Sequence, residues 1–220
     1  MNIKEILGEV WNFLWKNNSV WSWLADIVLV FLIVRFIFFP IMSLIFAAPL
    51  PFVIIESCSL EHFSTDCGGA KNIEICGNKF SESRYFEFEE YWALCGPWYE
   101  NIGITKSEFE KMPFKDGLNK GDIIVVFGKD AEDYQVGDII IFENACQSTP
   151  IIHRIVEIEE KNNEFLFSTK GDNNEAQVSC FGFNIEKDIK EEQIIGKAAM
   201  RIPLLGWIKL VPIELFNSIF

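Results

Sequence analysis

The sequence predicts a mainly β domain carried behind one N-terminal transmembrane helix, with a small helical insertion in the domain. Three observations carry that prediction. From Ile27 to Ala48 the chain is apolar apart from Arg35 and Ser43, long enough to cross ~30 Å of hydrocarbon as a helix, which needs ~20 residues. Beyond residue 120 it breaks into short runs rich in Ile, Val and Phe bounded by glycine turns, the pattern of strands. Between the two lies a stretch crowded with Phe80, Tyr85, Phe86, Phe88, Tyr91, Trp92, Trp98 and Tyr99.

Taken in order, Asn2 to Leu24 repeats apolar residues at Ile6, Val10, Phe13 and Leu14, with Trp11, Trp15, Trp21 and Trp23 beside them. That is the composition of an amphipathic helix lying on a membrane interface. The apolar run that follows is too long for the core of a cleaved signal peptide, and Pro40 is expected to kink it, as membrane helices tolerate. The boundaries that follow are 1–24 for the interfacial helix, 25–50 for the transmembrane helix and 51–220 for the domain, with the insertion at 63–117. Within the insertion, Ile104-Thr105-Lys106-Ser107-Glu108-Phe109 predicts a short helix capped by Thr105 or Ser107.

Strands are expected at Asp122 to Phe127, Asp138 to Phe142, Ile151 to Ile158, Glu164 to Thr169 and Ile194 to Ile202. Two of them open alike, on Lys120-Gly121-Asp122-Ile123 and Val136-Gly137-Asp138-Ile139; glycine there supplies the turn and aspartate bonds nearby backbone. The last stretch, Ile202 to Phe220, is apolar but interrupted by Pro203 and Pro212. It reads as a strand or loop grazing the membrane rather than a second span.

Composition narrows the function. Half of the 220 residues are hydrophobic and 15% are aromatic, which excludes wholesale disorder. The formal charge is −13. Residues 1–50 hold Lys4, Lys16 and Arg35 against Glu5, Glu9 and Asp26, so the whole excess of acid lies in the domain. Such a surface repels phosphate backbones, and no nucleic-acid partner is expected. Six cysteines (58, 67, 76, 95, 146, 180) show none of the paired spacings of a zinc ribbon, and no metal or other cofactor is expected. Disulfides are possible if the domain lies outside the cell. Cys67 and Cys76 flank Gly68-Gly69 and could pair, but the connectivity stays open.

The chemistry-bearing residues are few. Shortly after the apolar segment the chain reads Glu56-Ser57-Cys58-Ser59-Leu60-Glu61-His62. A serine becomes a useful nucleophile only when a base accepts its proton, and the chain has two histidines, His62 and His153. His153 lies in the strand Ile152-His153-Arg154, and an acid follows in Lys170-Gly171-Asp172-Asn173. A carboxylate there would hold the imidazole in one tautomer and stabilise the imidazolium.

These boxes, in this order, resemble the type I signal peptidases, in the archaeal and endoplasmic-reticulum branch that uses histidine where bacterial members use lysine. Ser57-Cys58-Ser59-Leu60-Glu61-His62 is similar to that family's Ser-Gly-Ser-Met-Glu-Pro box. Ile152-His153-Arg154-Ile155-Val156 matches the histidine box, Thr169-Lys170-Gly171-Asp172-Asn173-Asn174 the acidic box, and Ile202-Pro203-Leu204-Leu205-Gly206 the closing segment. The resemblance implies a signal-peptidase-like β domain in which Ser59 is the nucleophile, His153 the base and Asp172 its orienting acid. It also implies that the Ser57 hydroxyl and the Ser59 N–H form the oxyanion hole. The implied activity is cleavage of signal peptides from secreted preproteins at the outer face of the cytoplasmic membrane, on a single-pass chain whose partners are the preprotein, the lipid bilayer and the translocation machinery.

The chain departs from that pattern in places. Cys58 stands for glycine, which would strain the loop if its backbone needed positive φ. Leu60 stands for methionine. His62 stands for proline and could touch substrate or itself serve as base. The family often carries a second aspartate five or six residues past the first, where this chain has Gln177 and Val178; Asp172 is then expected to act alone or with Glu175. The rival readings are a non-catalytic, membrane-anchored β module whose insertion binds a partner, and an accessory subunit of a peptidase complex.

Overall fold

The computed structural model describes residues 2–16, 19–64 and 73–219. Two compact units emerge, Met1–Phe46 and Ala47–Phe220.

In the first unit, a helix at Ile3–Lys16 is followed by a longer one at Val20–Phe46. Ile6 and Phe13 of the predicted stripe lie on the first helix, whereas the side chain of Val10 lies outside those described. The long helix starts earlier than the apolar run because Ser19 caps it, its side chain accepting the Ser22 N–H at 3.2 Å. Trp21, Trp23 and Leu24 therefore belong to this helix and not to the one at Ile3–Lys16. Its mean hydropathy is 2.7 and none of its most apolar window is buried, so it is long and apolar enough to cross a membrane and is not shaped as a soluble core helix. Pro40 leaves its mark one turn upstream. Lacking an N–H, it cannot bond to Phe36, and the helix widens into a π turn over Val34–Phe38 in which Phe39 N–H reaches the Val34 carbonyl.

The second unit is built on an antiparallel sheet. Its strands in chain order are β1 (Phe52–Ile54), β2 (Phe63–Ser64), β3 (Ile73–Ile75), β4 (Asn78–Phe80), β5 (Arg84–Tyr85), β6 (Ile123–Phe127), β7 (Ile139–Phe142), β8 (Ile151–Lys161), β9 (Glu164–Lys170), β10 (Ser179–Cys180), β11 (Phe183–Asn184), β12 (Ile189–Lys190) and β13 (Ile194–Ile202). Seven of them form one sheet in the order β1-β6-β13-β7-β8-β9-β12. Bulges in β13 and β8 bend it toward a half-barrel. The five expected strands are β6, β7, β8, β9 and β13; the edge strands β1 and β12 are too short to show alternation in sequence.

The two similar boxes fold as one motif used twice. In each, the aspartate carboxylate accepts the N–H three residues back: Asp122 from Asn119 at 2.9 Å and Asp138 from Gln135 at 3.1 Å. Gly121 and Gly137 take φ of +88° and +99°, conformations that residues with a Cβ rarely adopt.

Adjacent residues on a strand face opposite sides, and β8 sorts the domain accordingly. His153 pairs with Ile140 in β7, and Ile140, Ile155, Phe142, Phe167 and Ile189 share one cluster on that face. Arg154 pairs with Ile139, and Ile139 and Ile141 join Ile55, Leu60, Leu118 and Ile124 on the other. The insertion extends this second face. Its helix Phe88–Asn101 and the short helix Lys106–Phe109, capped by a Thr105–Glu108 box, pack Tyr91, Trp92, Tyr99 and Phe109 against Val156.

One expectation is corrected, and two pairings among the cysteines, left open by the sequence, are seen. The chain from Trp207 to Ile219 is a helix and not a strand or loop. Pro203 precedes it, and Pro212 removes only one helical bond, that to the carbonyl of Ile208 on an exposed turn. Cys76 bonds to Cys95, not to Cys67, because the insertion helix turns Cys95 into the cluster beside Cys76; Cys67 itself lies outside the described residues. A second disulfide joins Cys146 and Cys180, and Cys58 is also disulfide-bonded.

Candidate active site

A groove of about 700 Å³ runs along edge strand β1. One wall is made by Phe52–Ile55, Ser57 and Ser59, the other by Pro150–His153 with Val178. The serine loop is held from both sides. Ile55 and Leu60 are buried in the core on either side of it. The Leu60 carbonyl accepts Leu118 N–H at 2.9 Å, and the buried Glu61 carboxylate accepts Lys120 N–H at 2.6 Å. Burial raises the Glu61 pKa against that bond and Lys120. The Ser59 carbonyl accepts Asn173 N–H at 2.8 Å. These contacts leave the two hydroxyls facing the groove, with Ser57 Oγ and Ser59 Oγ 3.0 Å apart. Cys58 is not among the residues with positive φ, so its side chain does not strain the loop.

His153 reaches the same groove from β8. Gly171 shows how close the two elements come. A Cβ on Gly171 would lie 2.8 Å from His153 Nε2 and 2.8 Å from the Ser59 carbonyl oxygen, so those atoms are separated by at most twice that distance. Only a residue without a side chain fits between them.

Behind His153 stands a carboxylate that sequence reasoning missed. His153 Nδ1 is hydrogen-bonded to Glu186 Oε1. Glu186 is fully buried; it also accepts the Thr169 hydroxyl at 3.1 Å and the Val178 N–H. Thr169 pairs with Ile155 and so faces the same side as His153. The geometry explains the missing second acid of the sequence pattern. The hairpin β10–β11 is looped out between Val178 and Glu186, and the Glu186 carboxylate returns to the Val178 N–H. With Gln177 and Val178 where the family pattern often has an acid, the carboxylate that the fold brings to His153 is that of Glu186. The one signal in the sequence was Cys180-Phe181-Gly182-Phe183, a turn flanked by strand-forming residues that marks a detour.

Asp172 is corrected from its expected role. Its carboxylate takes Arg154 Nε at 2.9 Å, Arg154 Nη2 at 2.6 Å and the Tyr99 hydroxyl at 3.1 Å. Arg154 and His153 are strand neighbours and point to opposite faces, so an acid paired with one is turned from the other. Burial alone would raise the Asp172 pKa; the charge and hydrogen bonds of Arg154, with His62 adding to them, hold it well below the usual carboxylate range. Arg154 spends its other donors on the carbonyls of Pro113, Gly137 and Phe114, locking the insertion to the sheet. His62, the alternative base, belongs to this second face. It stacks on Tyr91 with ring centroids 3.5 Å apart, its Nε2 3.5 Å from Asp172 Oδ2. Glu175, the expected helper, packs its side chain over the Gly77 turn of the insertion. Of the six residues expected at the site, the groove brings together Ser57, Ser59 and His153; Asp172, His62 and Glu175 brace the insertion.

A hydroxyl pair, an imidazole and a buried carboxylate on its far nitrogen, opening on a sheet edge, are the components of a serine-hydrolase site. No family model matches the chain. It is related in sequence to catalytic subunits of signal peptidase complexes. Against SEC11 of Eremothecium gossypii it is 33% identical over 99 residues, 44% of this chain and 59% of that protein. The Yarrowia lipolytica SEC11 is 28% identical over 96 residues, 43% of this chain and 55% of that one. Human SEC11C is 26% identical over 120 residues, 52% and 62%. The chain thus spans between half and two thirds of the length of these relatives.

Proposed function

We propose that this chain is a membrane-tethered serine endopeptidase that removes signal peptides from exported preproteins. The observation that carries the reading is the convergence of Ser59 and His153 on one groove with Glu186 bonded to His153 Nδ1. Ser59 Oγ attacks the scissile carbonyl while His153 Nε2 takes its proton, and the proton then passes to the leaving amine. Glu186 accepts the Nδ1–H, fixes the tautomer and faces the positive charge that forms. The Ser57 hydroxyl and the Ser59 N–H donate to the tetrahedral oxyanion. Water repeats the sequence on the acyl-enzyme.

The substrate class follows from the groove. β1 is the outermost strand of the sheet, and its open edge suits an extended peptide that adds as a strand. Phe52, Val53, Ile54 and Ile152 make an apolar bed beneath it. Two features support a domain on the outer face of a cytoplasmic membrane: no cysteine is free among the described residues, as oxidising compartments favour, and one helix has membrane-crossing length. Translocation machinery remains the natural neighbour of such an enzyme. The test is cleavage of a preprotein by the full chain in detergent, compared with Ser59→Ala and His153→Ala. Loss of cleavage in both is expected; undiminished cleavage by Ser59→Ala overturns the reading.

A further inference from the structure

The turn after β9 carries a polar group that the proposed chemistry leaves unused. In Gly171-Asp172-Asn173-Asn174 the Asn174 N–H donates to the Gly171 carbonyl at 3.0 Å, closing a turn whose Asn173 N–H holds the Ser59 carbonyl. The neighbouring side chains are spent on the protein itself. Asp172 takes Arg154, the Asn173 amide donates to the Phe63 carbonyl at 3.1 Å, and the Gln177 amide donates to the carbonyls of Thr169 and Glu186. Asn174 differs from all three. It lines the groove, half-buried, and its side-chain amide meets no hydrogen-bond partner among the described residues. A Cβ on Gly171 would lie 2.8 Å from Asn174 Nδ2, just as it would from His153 Nε2 and from the Ser59 carbonyl oxygen. Three atoms equally close to one point are separated by at most twice that distance, so the unspent amide stands beside the imidazole and the serine loop.

Position decides what this amide can serve. His153 Nδ1 is bonded to Glu186, so Nε2 is the nitrogen left for the groove, and Nε2 must come within reach of the nitrogen of the bond being cut to hand it a proton. A group beside Nε2 is therefore beside the leaving amine. The acyl half of a substrate has its own bed along β1, which leads into the serine loop at Ile55, whereas Asn174 is tied to the other end of that loop through Ser59. A side-chain amide offers two donors and an acceptor, which match the C=O and N–H of a peptide group. We infer that Asn174 is a substrate-binding residue for the leaving half of the chain: its side-chain amide hydrogen-bonds the first peptide group past the scissile bond. This role rests on the peptidase reading above and deepens it. A chain gripped on both sides of the cut keeps its leaving nitrogen against Nε2. The contact reads main chain and not side chain, so the leaving half is held whatever side chains it carries.

The experiment uses the full chain in detergent and two substrates with the same acyl half: a preprotein-derived peptide that continues past the cut, and a methyl ester that ends at it and so carries no peptide group beyond. kcat/KM is measured on both for the native chain, Asn174→Leu and Asn174→Ala. The ratio of the peptide value to the ester value does not depend on the fraction of enzyme that is folded, so a destabilised variant still reports. That ratio is expected to fall about 10–100-fold in both variants, as the loss of one or two hydrogen bonds to the leaving half requires. An unchanged ratio overturns the role, and it is the result that an amide supporting only the turn, or holding only the hydrolytic water, would give. Complete loss on both substrates in both variants also overturns it, since the acyl half alone would then need the amide. A native chain that cleaves neither substrate defeats the peptidase reading and this role with it; a native chain that cleaves both, with the ratio unchanged in the variants, defeats this role alone.

Discussion

Two neighbouring residues on β8 divide the molecule. His153 faces the groove and meets Glu186; Arg154 faces the insertion and meets Asp172. Each pair is a buried base with a buried carboxylate, but their surroundings differ. Glu186 is held by a hydroxyl and one backbone N–H, and its partner opens on the groove. Asp172 is closed in by Arg154, Tyr99 and His62, and Arg154 lies over the Phe109 ring at 4.9 Å. The first arrangement leaves the imidazole open to the groove, as the proposed proton transfer needs. The second holds two pieces of the chain together and leaves no position for a substrate. On the catalytic reading proposed above, chemistry and architecture fall on opposite faces of one strand.

The sharpest way to break this division is to neutralise each carboxylate in turn. Glu186→Gln keeps the shape but removes the acceptor of the Nδ1–H, and kcat for preprotein cleavage is expected to fall about 10²–10⁴-fold with little change in thermal midpoint. Full activity in that variant would return the orienting role to Asp172. Asp172→Asn reverses the pattern. It leaves the guanidinium of Arg154 buried without its counter-charge, which costs about 3–5 kcal/mol, read as a drop in the urea midpoint. If Asp172→Asn instead folds as firmly as the native chain and only loses activity, the division is wrong.

Lys170 gives the comparison a pH signature. It is fully buried, pairs with Arg154 in the sheet, and rests 5.0 Å from the rings of Trp98 and Tyr99. Burial pulls its pKa down to about 8, against partial support from Asp172 and Glu186. Its folded pKa lies below its unfolded value of about 10.4, so between about pH 8 and 10.4 the unfolded chain binds more protons and stability rises with pH. The rise is expected to be about 1–3 kcal/mol and to vanish in Lys170→Met. A flat profile in the native chain would place that amine in water.

These residues also mark how far the fold and site could be read from the sequence. The five long strands, the twin Gly-Asp turns and the long apolar helix were legible because each rests on local periodicity or turn chemistry. Ser59 and His153, which line one groove, could be singled out because a serine box and a scarcity of histidines limit the choice. Glu186 was not, because a carboxylate is recognised by what it touches, and the six residues of the β10–β11 hairpin hide its approach to His153. Asp172 misled for the mirror reason: its place next to Gly171 in sequence says nothing about which face of β8 its side chain meets. His62 was read as a departure beside the nucleophile, yet its stacking on Tyr91 ties that change to the presence of the insertion. The helix Trp207–Ile219 was missed because two prolines outweighed an apolar run.

The smallest expected effect asks whether the two faces communicate at all. Tyr99→Phe removes one of the bonds to Asp172 but leaves both Arg154 contacts, and about 1 kcal/mol of stability is the expected loss. Combined with Glu186→Gln, it closes a double-mutant cycle on catalysis. The backbone of Gly171 is the shortest route between the faces, since it follows Lys170, precedes Asp172 and abuts both His153 Nε2 and the Ser59 carbonyl. If that backbone is held by the sheet alone, Tyr99→Phe leaves kcat unchanged in either background and the coupling is below about 0.5 kcal/mol. If the Asp172 cluster also sets where Gly171 lies, the single variant lowers kcat and the effect shrinks once Glu186 no longer orients the imidazole. The insertion would then tune the active site as well as stabilise it.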